Sequence, residues 1–269
     1  MPRIAPWLLA LLLSGAAAAP TQADEGRERS ARVPVPRNNG PRWVPTPRGA
    51  SARRAEALGL GTRAAANRLM HGHPDPRWVA AAAQAGPMPA HLRWPVELGR
   101  FGRGFGFVRR TRPELRHDGV DIVAAEGSTL RAVAPGLVAY ADNGVRGFGN
   151  AVMIVHPNGW VSVYAHCHRV TVPAGYRVRA GERIGFVGST GISRGPHLHL
   201  ELRTDGRAFD PLPSFEGRPW IAAYRAWRAR RAAGEAEVSG QHLEDRLPPQ
   251  RPAPAPATPA PAAALGRIG

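Results

Sequence analysis

Residues 151–165 read AVMIVHPNGWVSVYA, and this stretch decides the fold. Two runs rich in valine, isoleucine and aromatic residues flank Asn158-Gly159, a dipeptide suited to the positive-φ corner of a tight hairpin. The reading is a pair of antiparallel strands, Ala151–His156 and Trp160–Ala165. Similar short runs lie outward from the hairpin at Gly104–Val108, Thr129–Val133, Gly136–Asp142, Arg183–Val187 and Leu198–Leu202. Glycines at 136, 149, 159, 175, 181, 185, 188 and 195 punctuate them at turn intervals. Short strands between closely spaced turns predict an all-β core domain of short antiparallel strands over residues 87–216.

The rest of the 269-residue chain differs in composition. Residues 1–23 carry Arg3, an apolar run from Ile4 to Ala19 and small residues at Thr21 and Ala23, the pattern of a secretory signal peptide. The apolar run is shorter than the ~18 residues a membrane span needs. Residues 24–50 are dominated by arginine and proline and are expected to form a disordered basic arm. Over 51–86 the spacing predicts short helices, one stretch from Ala52 to Met70 interrupted by Gly59 and Gly61, and another from Pro76 to Ala85. Residues 217–238 place Trp220, Ile221, Tyr224 and Trp227 on one face of an amphipathic helix. Residues 239–269 are Pro- and Ala-rich and read as an extended, disordered tail.

The sequence holds 36 arginines and no lysine, and its formal net charge is +16. Such an excess favours anionic surroundings: nucleic acid, anionic lipid or an acidic wall polymer. No nucleic-acid recognition motif accompanies it, and the signal peptide points to an exported protein, periplasmic or secreted, so specific nucleic-acid binding is not expected. Cys167 is the only cysteine, which excludes an internal disulfide framework and a Cys-only zinc cluster.

Three stretches of the β region carry candidate chemistry: His117-Asp118-Gly119-Val120-Asp121, Tyr164-Ala165-His166-Cys167-His168, and Gly195-Pro196-His197-Leu198-His199-Leu200-Glu201. Strand alternation puts His197 and His199 on one face, with Leu198 and Leu200 turned to the core. His117 and Asp121 lie four apart around Gly119 and can converge on one ion. Two histidines and one carboxylate leave a fourth position for water, the catalytic form of a zinc site. From spacing alone His197 and His199 are equally plausible ligands. His71-Gly72-His73 reads as incidental, His168 as a surface residue, His156 as a hydrogen-bonded hairpin residue, Asp118 as a solvated neighbour and Cys167 as a core thiol.

Taken in order, FGRGFGF (101–107), HDGVDI (117–122), GSTLRAVAPGLVAYA (127–141), GNAVMIVHPNGWVSVYAH (149–166), VRAGERIGFVGSTG (178–191) and GPHLHLEL (195–202) resemble the LytM-type, lysostaphin-like zinc endopeptidases that cut peptide links in peptidoglycan. The resemblance runs from about Leu92 to Pro211 and implies a LytM-like peptidase fold binding one Zn²⁺ per domain. It further implies that His117, Asp121 and His199 are the zinc ligands and that His166 and His197 are unligated catalytic histidines. Tyr164 is expected to line the substrate groove. Cys167-His168 stands where the family often has a leucine. The implied partners are peptidoglycan peptides; from their charge the arginine-rich arms are expected near an anionic wall or membrane surface, and a monomer is expected. Some relatives lack metal-site residues and activate a separate wall amidase; all five positions are filled here. The 51–86 helices are expected to support the domain or to lie across the groove as a plug, with His71, His73 or Asn67 offered to zinc.

Overall fold

The computed structural model describes residues 41–109 and 112–215, and the side chains of 109, 112 and 113 are left aside. The expected signal peptide, most of the expected basic arm, the expected 217–238 helix and the expected 239–269 tail lie outside these residues. Three helices come first: α1 (Gly49–Leu58), α2 (Arg63–His71) and α3 (Pro76–Ala83). Twelve strands follow: β1 (Arg100–Phe101), β2 (Val108–Arg109), β3 (Arg112–Arg116), β4 (Val120–Val123), β5 (Thr129–Arg131), β6 (Gly136–Asp142), β7 (Asn150–Val155), β8 (Val161–Val170), β9 (Arg177–Val178), β10 (Arg183–Val187), β11 (His197–Thr204) and β12 (Arg207–Phe209).

Ten of these strands form one antiparallel sheet with the path β1-β4-β11-β8-β7-β6-β9. β12 pairs with β11, while β10 bridges β5 and the far end of β8. β2 and β3 make a separate hairpin. The expected hairpin is β7–β8, and Gly159 supplies its left-handed corner at φ 83. Not every expected strand survives. Gly104–Val108 is mostly turn, because Gly106 takes φ 76 and breaks the extended run; only Val108 enters a strand.

Side-chain alternation splits the sheet into two faces. Val120, Ile122, Val152, Ile154, Tyr164, Leu198, Leu200 and Leu202 share one core with Leu130, Ile184 and Phe215. The opposite face presents Leu137, Tyr140, Ala151, Met153, Val155, Val161 and Val163, and these are covered by Leu60, Leu69, Trp78 and Ala82 from the helices. A single sheet thus carries two apolar layers, and removing either from water stabilises it by about 25 cal/mol per Å².

The helical stretch divides where glycine demands it. Gly59 and Gly61 adopt φ 65 and 75, so the predicted 52–70 stretch becomes α1 and α2. Thr62 caps α2, its hydroxyl accepting from the Ala65 amide at 3.0 Å. Asp75 caps α3, whose first residue is Pro76. The Trp78 indole donates to the Leu58 carbonyl at 2.8 Å, tying α3 to the end of α1. The helices therefore pack as a support on the sheet. His71 and His73 are exposed; His73 pairs with Asp205 at 2.7 Å, and neither belongs to the group of His117, Asp121 and His199 that could hold a metal ion.

The 24–50 arm also ends earlier than its composition suggests. Residues 41–44 dock on the sheet: the Val170 amide donates to the Trp43 carbonyl at 2.8 Å, and the Trp43 amide donates to Asn150 Oδ1 at 3.2 Å. Backbone pairing of this kind leaves no trace in composition.

His156, at the end of β7, is fully buried. Its Nδ1 meets the Pro135 carbonyl at 2.7 Å and its Nε2 meets Ser162 Oγ at 2.8 Å. Burial disfavours the imidazolium and lowers its pKa to about 4. The unfolded chain, titrating near 6.5, then binds a proton that the folded chain refuses. The stability due to neutral His156 is fully present above about pH 6.5 and is lost as pH falls toward 4. Thermal melts between pH 7 and 4.5 should show that loss, and His156→Gln should flatten it. An equal pH slope in both proteins would contradict the assignment.

Candidate metal centre

The pole of the sheet where β4, β11 and β8 run side by side gathers the titratable groups. β4 and β11 pair with Asp121 opposite His199, so two candidate donors face each other across one rung. Their neighbours Val120, Ile122, Leu198 and Leu200 anchor the register in the core. Gly119 lets the third donor approach: a Cβ there would lie 2.3 Å from the Leu200 carbonyl oxygen and 3.0 Å from the His199 ring. The chain turns at this point and brings His117 over the rung.

Three donor atoms converge. His117 Nε2 lies 3.0 Å from Asp121 Oδ1 and 3.0 Å from His199 Nδ1, and His199 Nδ1 lies 3.1 Å from Asp121 Oδ1. The far nitrogen of each ring is already engaged. His117 Nδ1 donates to the Gly104 carbonyl at 2.8 Å, and His199 Nε2 donates to Glu201 Oε1 at 3.0 Å. With those tautomers both inner nitrogens carry lone pairs and face a carboxylate oxygen. Three acceptors so close repel one another unless a cation lies between them. A tetrahedral ion with bonds of about 2.0–2.1 Å holds its donors about 3.3 Å apart, near the spacing found. His117, Asp121 and His199 are the group able to hold a metal ion among the described residues.

Protons can also occupy the space between these atoms. Burial opposes the Asp121 charge, but the hydrogen bonds and charges of His117 and His199 outweigh it and hold the carboxyl far below its usual range. Burial likewise opposes protonation of His199, yet Asp121 and Glu201 outweigh it and lift the imidazole to about 9. A single proton relieves only one contact of the three; a metal ion relieves all. Arg103 Nε stands 3.5 Å from Asp121 Oδ2, which leaves Oδ1 to face the ligand position.

His166 and His197 stand beside the cluster. Their rings are 4.8 Å apart, and His166 is 5.9 Å from the ring of His199. His197 Nε2 lies 3.7 Å from Asp121 Oδ1, and its Nδ1 is held by the Gly195 carbonyl at 2.8 Å. His166 Nδ1 donates to the Thr190 carbonyl at 2.8 Å, which leaves Nε2 unprotonated. Burial, followed by the neighbouring His199 and His197, lowers the His166 pKa to about 3.

His166 does not sit on a regular strand. Its φ is 62, a left-handed value costly for a residue with a Cβ. The β7–β8 register gains an extra residue between Tyr164 and Cys167, the signature of a bulge. Up to Ala165 β8 pairs with β11; from Cys167 onward it pairs with β10. The bulge re-aims the histidine at the change of partner, and the Phe148 carbonyl holds its amide at 2.8 Å.

Tyr164 follows the other path. It is fully buried, and its hydroxyl accepts from the Val133 amide at 2.9 Å, so it supports the core and does not line a groove. Cys167 is buried, and burial pushes its thiol up to about 12. His168 is exposed against Glu126 at 2.8 Å. The residue that sequence reading passed over is Glu201. Its signal was available: 197, 199, 201 and 203 share one face of β11 by alternation.

Residues 115–211 match the model of a family described as Peptidase family M23. The DD-carboxypeptidase/endopeptidase Mpg of Neisseria meningitidis serogroup B is 43% identical over 122 residues, 44% of this chain and 27% of that protein. The murein hydrolase activator NlpD of Escherichia coli is 38% identical over 120 residues, 45% of this chain and 30% of that protein. The chain thus spans under a third of the length of these curated relatives. The catalytic domain of the antimicrobial peptidase lysostaphin from Staphylococcus simulans is 31% identical, with 43% of this chain and 90% of that domain covered and a TM-score of 0.41. Residues 115–211 of this chain thus carry a domain that matches peptidase family M23.

Proposed function

We propose that the chain is an exported zinc endopeptidase that hydrolyses peptide bonds in peptidoglycan stem peptides or cross-bridges. The observation that carries this reading is the convergence of three lone-pair donors beside two further histidines whose outer nitrogens are already engaged. In this reading His117, Asp121 and His199 hold the metal. Zinc, when bound, supplies Lewis acidity that polarises the scissile carbonyl and brings the pKa of water toward 7.

The chain's own groups do the rest. His166, with Nδ1 donating to Thr190, presents an Nε2 lone pair and can take the proton of the attacking water. His197, whose Nδ1 donates to the Gly195 carbonyl, can donate from Nε2 to the oxygen on which charge develops once its ring carries a second proton. The two can exchange roles, since their rings are adjacent. In the balanced step the water oxygen bonds to the carbonyl carbon, the C–N bond breaks, and the proton goes to the leaving amine. Among the described residues no glutamate lies in the position of a base. Glu201 is committed to His199 and Arg203.

A second reading is favoured by one specific observation, the 38% identity to a protein named as a murein hydrolase activator. There the domain would bind wall or a partner hydrolase without cutting. Defined muropeptides separate the readings. Mass spectrometry of digests made with the zinc-loaded protein should show new amine and carboxyl ends at one peptide bond. Intact muropeptides, together with faster release of stem peptides by an added wall amidase, would establish the activator instead.

A further inference from the structure

The helices that cover part of the sheet lie on the same face as the metal-ligating group. His197, His199, Glu201 and Arg203 alternate away from Leu198, Leu200 and Leu202, and the helices pack on the face opposite those leucines. α2 touches both margins of the site. At its first residue Arg63 Nη2 donates to the Gly144 carbonyl at 2.8 Å, in the loop whose Phe148 carbonyl holds the His166 amide. At its other end the Met70 carbonyl accepts from Arg203 Nη2 at 2.9 Å.

Arg203 is the link inward. It is 5% exposed; one arm of its guanidinium donates to Glu201 Oε2 at 2.5 Å, and the other is shared between the Met70 and Gly206 carbonyls, the latter at 3.0 Å. Asp118 Oδ2, half-exposed, is 3.9 Å away. Glu201 Oε1 in turn accepts from His199 Nε2. The run is continuous: helix end, guanidinium, carboxylate, imidazole. The last carbonyls of a helix are electronegative and lack partners within the helix, so they suit a buried cation. The planar fork of arginine engages both carboxylate and carbonyl at fixed angles. Gly206, at φ 72, packs so closely that a Cβ would lie 2.3 Å from the His71 carbonyl carbon, which leaves the β11–β12 turn seated on the end of α2.

We propose that Arg203 and the C-terminal end of α2 form a positioning device for His199, so that the 49–83 helices, outside the family match, set the metal affinity of the site. The device fixes Glu201; Glu201 fixes the tautomer and ring plane of His199; and Nδ1 then faces His117 and Asp121. This inference rests on the reading of His199 as a ligand.

The test is zinc affinity, measured by competition with a chelating dye on the full chain at fixed pH, with circular dichroism as the folding check. Partners that orient metal-bound histidines typically contribute about 10–100-fold in affinity. Arg203→Met should weaken zinc binding by that order, and Arg203→Lys should recover part of it, because an ammonium pairs with Glu201 but lacks the fork. Gly206→Ala changes no group of the site yet pushes the turn off α2, and it too should weaken zinc binding. If Arg203→Met fails to fold, Arg203→Lys and Gly206→Ala decide. Parental affinity in the folded Arg203 and Gly206 variants, with zinc lost in His199→Ala, would overturn the positioning role alone. Parental affinity in His199→Ala would remove the ligand reading beneath it.

Discussion

His199→Ala is expected to abolish zinc binding at micromolar metal and, with it, measurable peptide hydrolysis. His199 supplies one of three converging donors, and its partners Asp121 and His117 are set at 3.0–3.1 Å around it. Removing the ring leaves two donors, which hold zinc far more weakly than three. It also leaves the Glu201 carboxylate without its imidazole partner in a buried site, which is costly. Part of the loss will therefore appear as a lower melting temperature, so zinc content is to be measured on protein shown to be folded. Asp121→Ala should lose zinc in the same way while relieving the buried carboxylate. Undiminished zinc in folded His199→Ala would refute the ligand set.

His166→Ala and His197→Ala are expected to do the opposite: retain zinc and lose turnover. Neither ring belongs to the group of converging donors. Acid–base groups and oxyanion donors each typically contribute about 10²–10⁴-fold, so either variant should fall by that range in kcat with much less change in KM. The two effects should not add, because both rings act on one proton and one oxygen. His166→Ala carries a second expectation. The residue sits at φ 62, a conformation that alanine finds as awkward as histidine does, so the bulge is held by its surroundings. His166→Gly should therefore be more stable than His166→Ala while equally slow. Near-parental kcat in either histidine variant would remove that residue's assigned role.

How much of this was legible beforehand follows from where each interaction lies along the chain. The β7–β8 hairpin was legible because Asn158-Gly159 fixes its corner locally, and β6 and β10 were read to the residue. β4 was missed: its four residues follow HDG directly, and the eye takes the stretch as a ligand loop before it takes Val120–Val123 as a strand. β8 and β11 run longer than expected because both continue past the polar residues of the site, which local hydropathy reads as strand ends. The shared face of His197 and His199 came from alternation, while the bulge that aims His166 came from a register between β7 and β8 that no local pattern encodes. Glu201 was quoted within its motif and given no role, although the same alternation put it beside His199. Arg203 could not have been tied to Met70, 133 positions earlier, without the fold.

Whether this chain itself hydrolyses a peptide bond using a bound metal is decided by one reaction. The most direct measurement is incubation of a purified cross-linked muropeptide dimer with the zinc-loaded protein in heavy-oxygen water, followed by mass spectrometry of the products, with a zinc-stripped sample alongside. A zinc peptidase gives two peptide fragments, one heavy oxygen in the new carboxylate of one of them, a new free amine on the other, and no cleavage until zinc is returned to the stripped sample. An intact dimer with the zinc-loaded, folded protein, or equal cleavage with and without zinc, would contradict that reading.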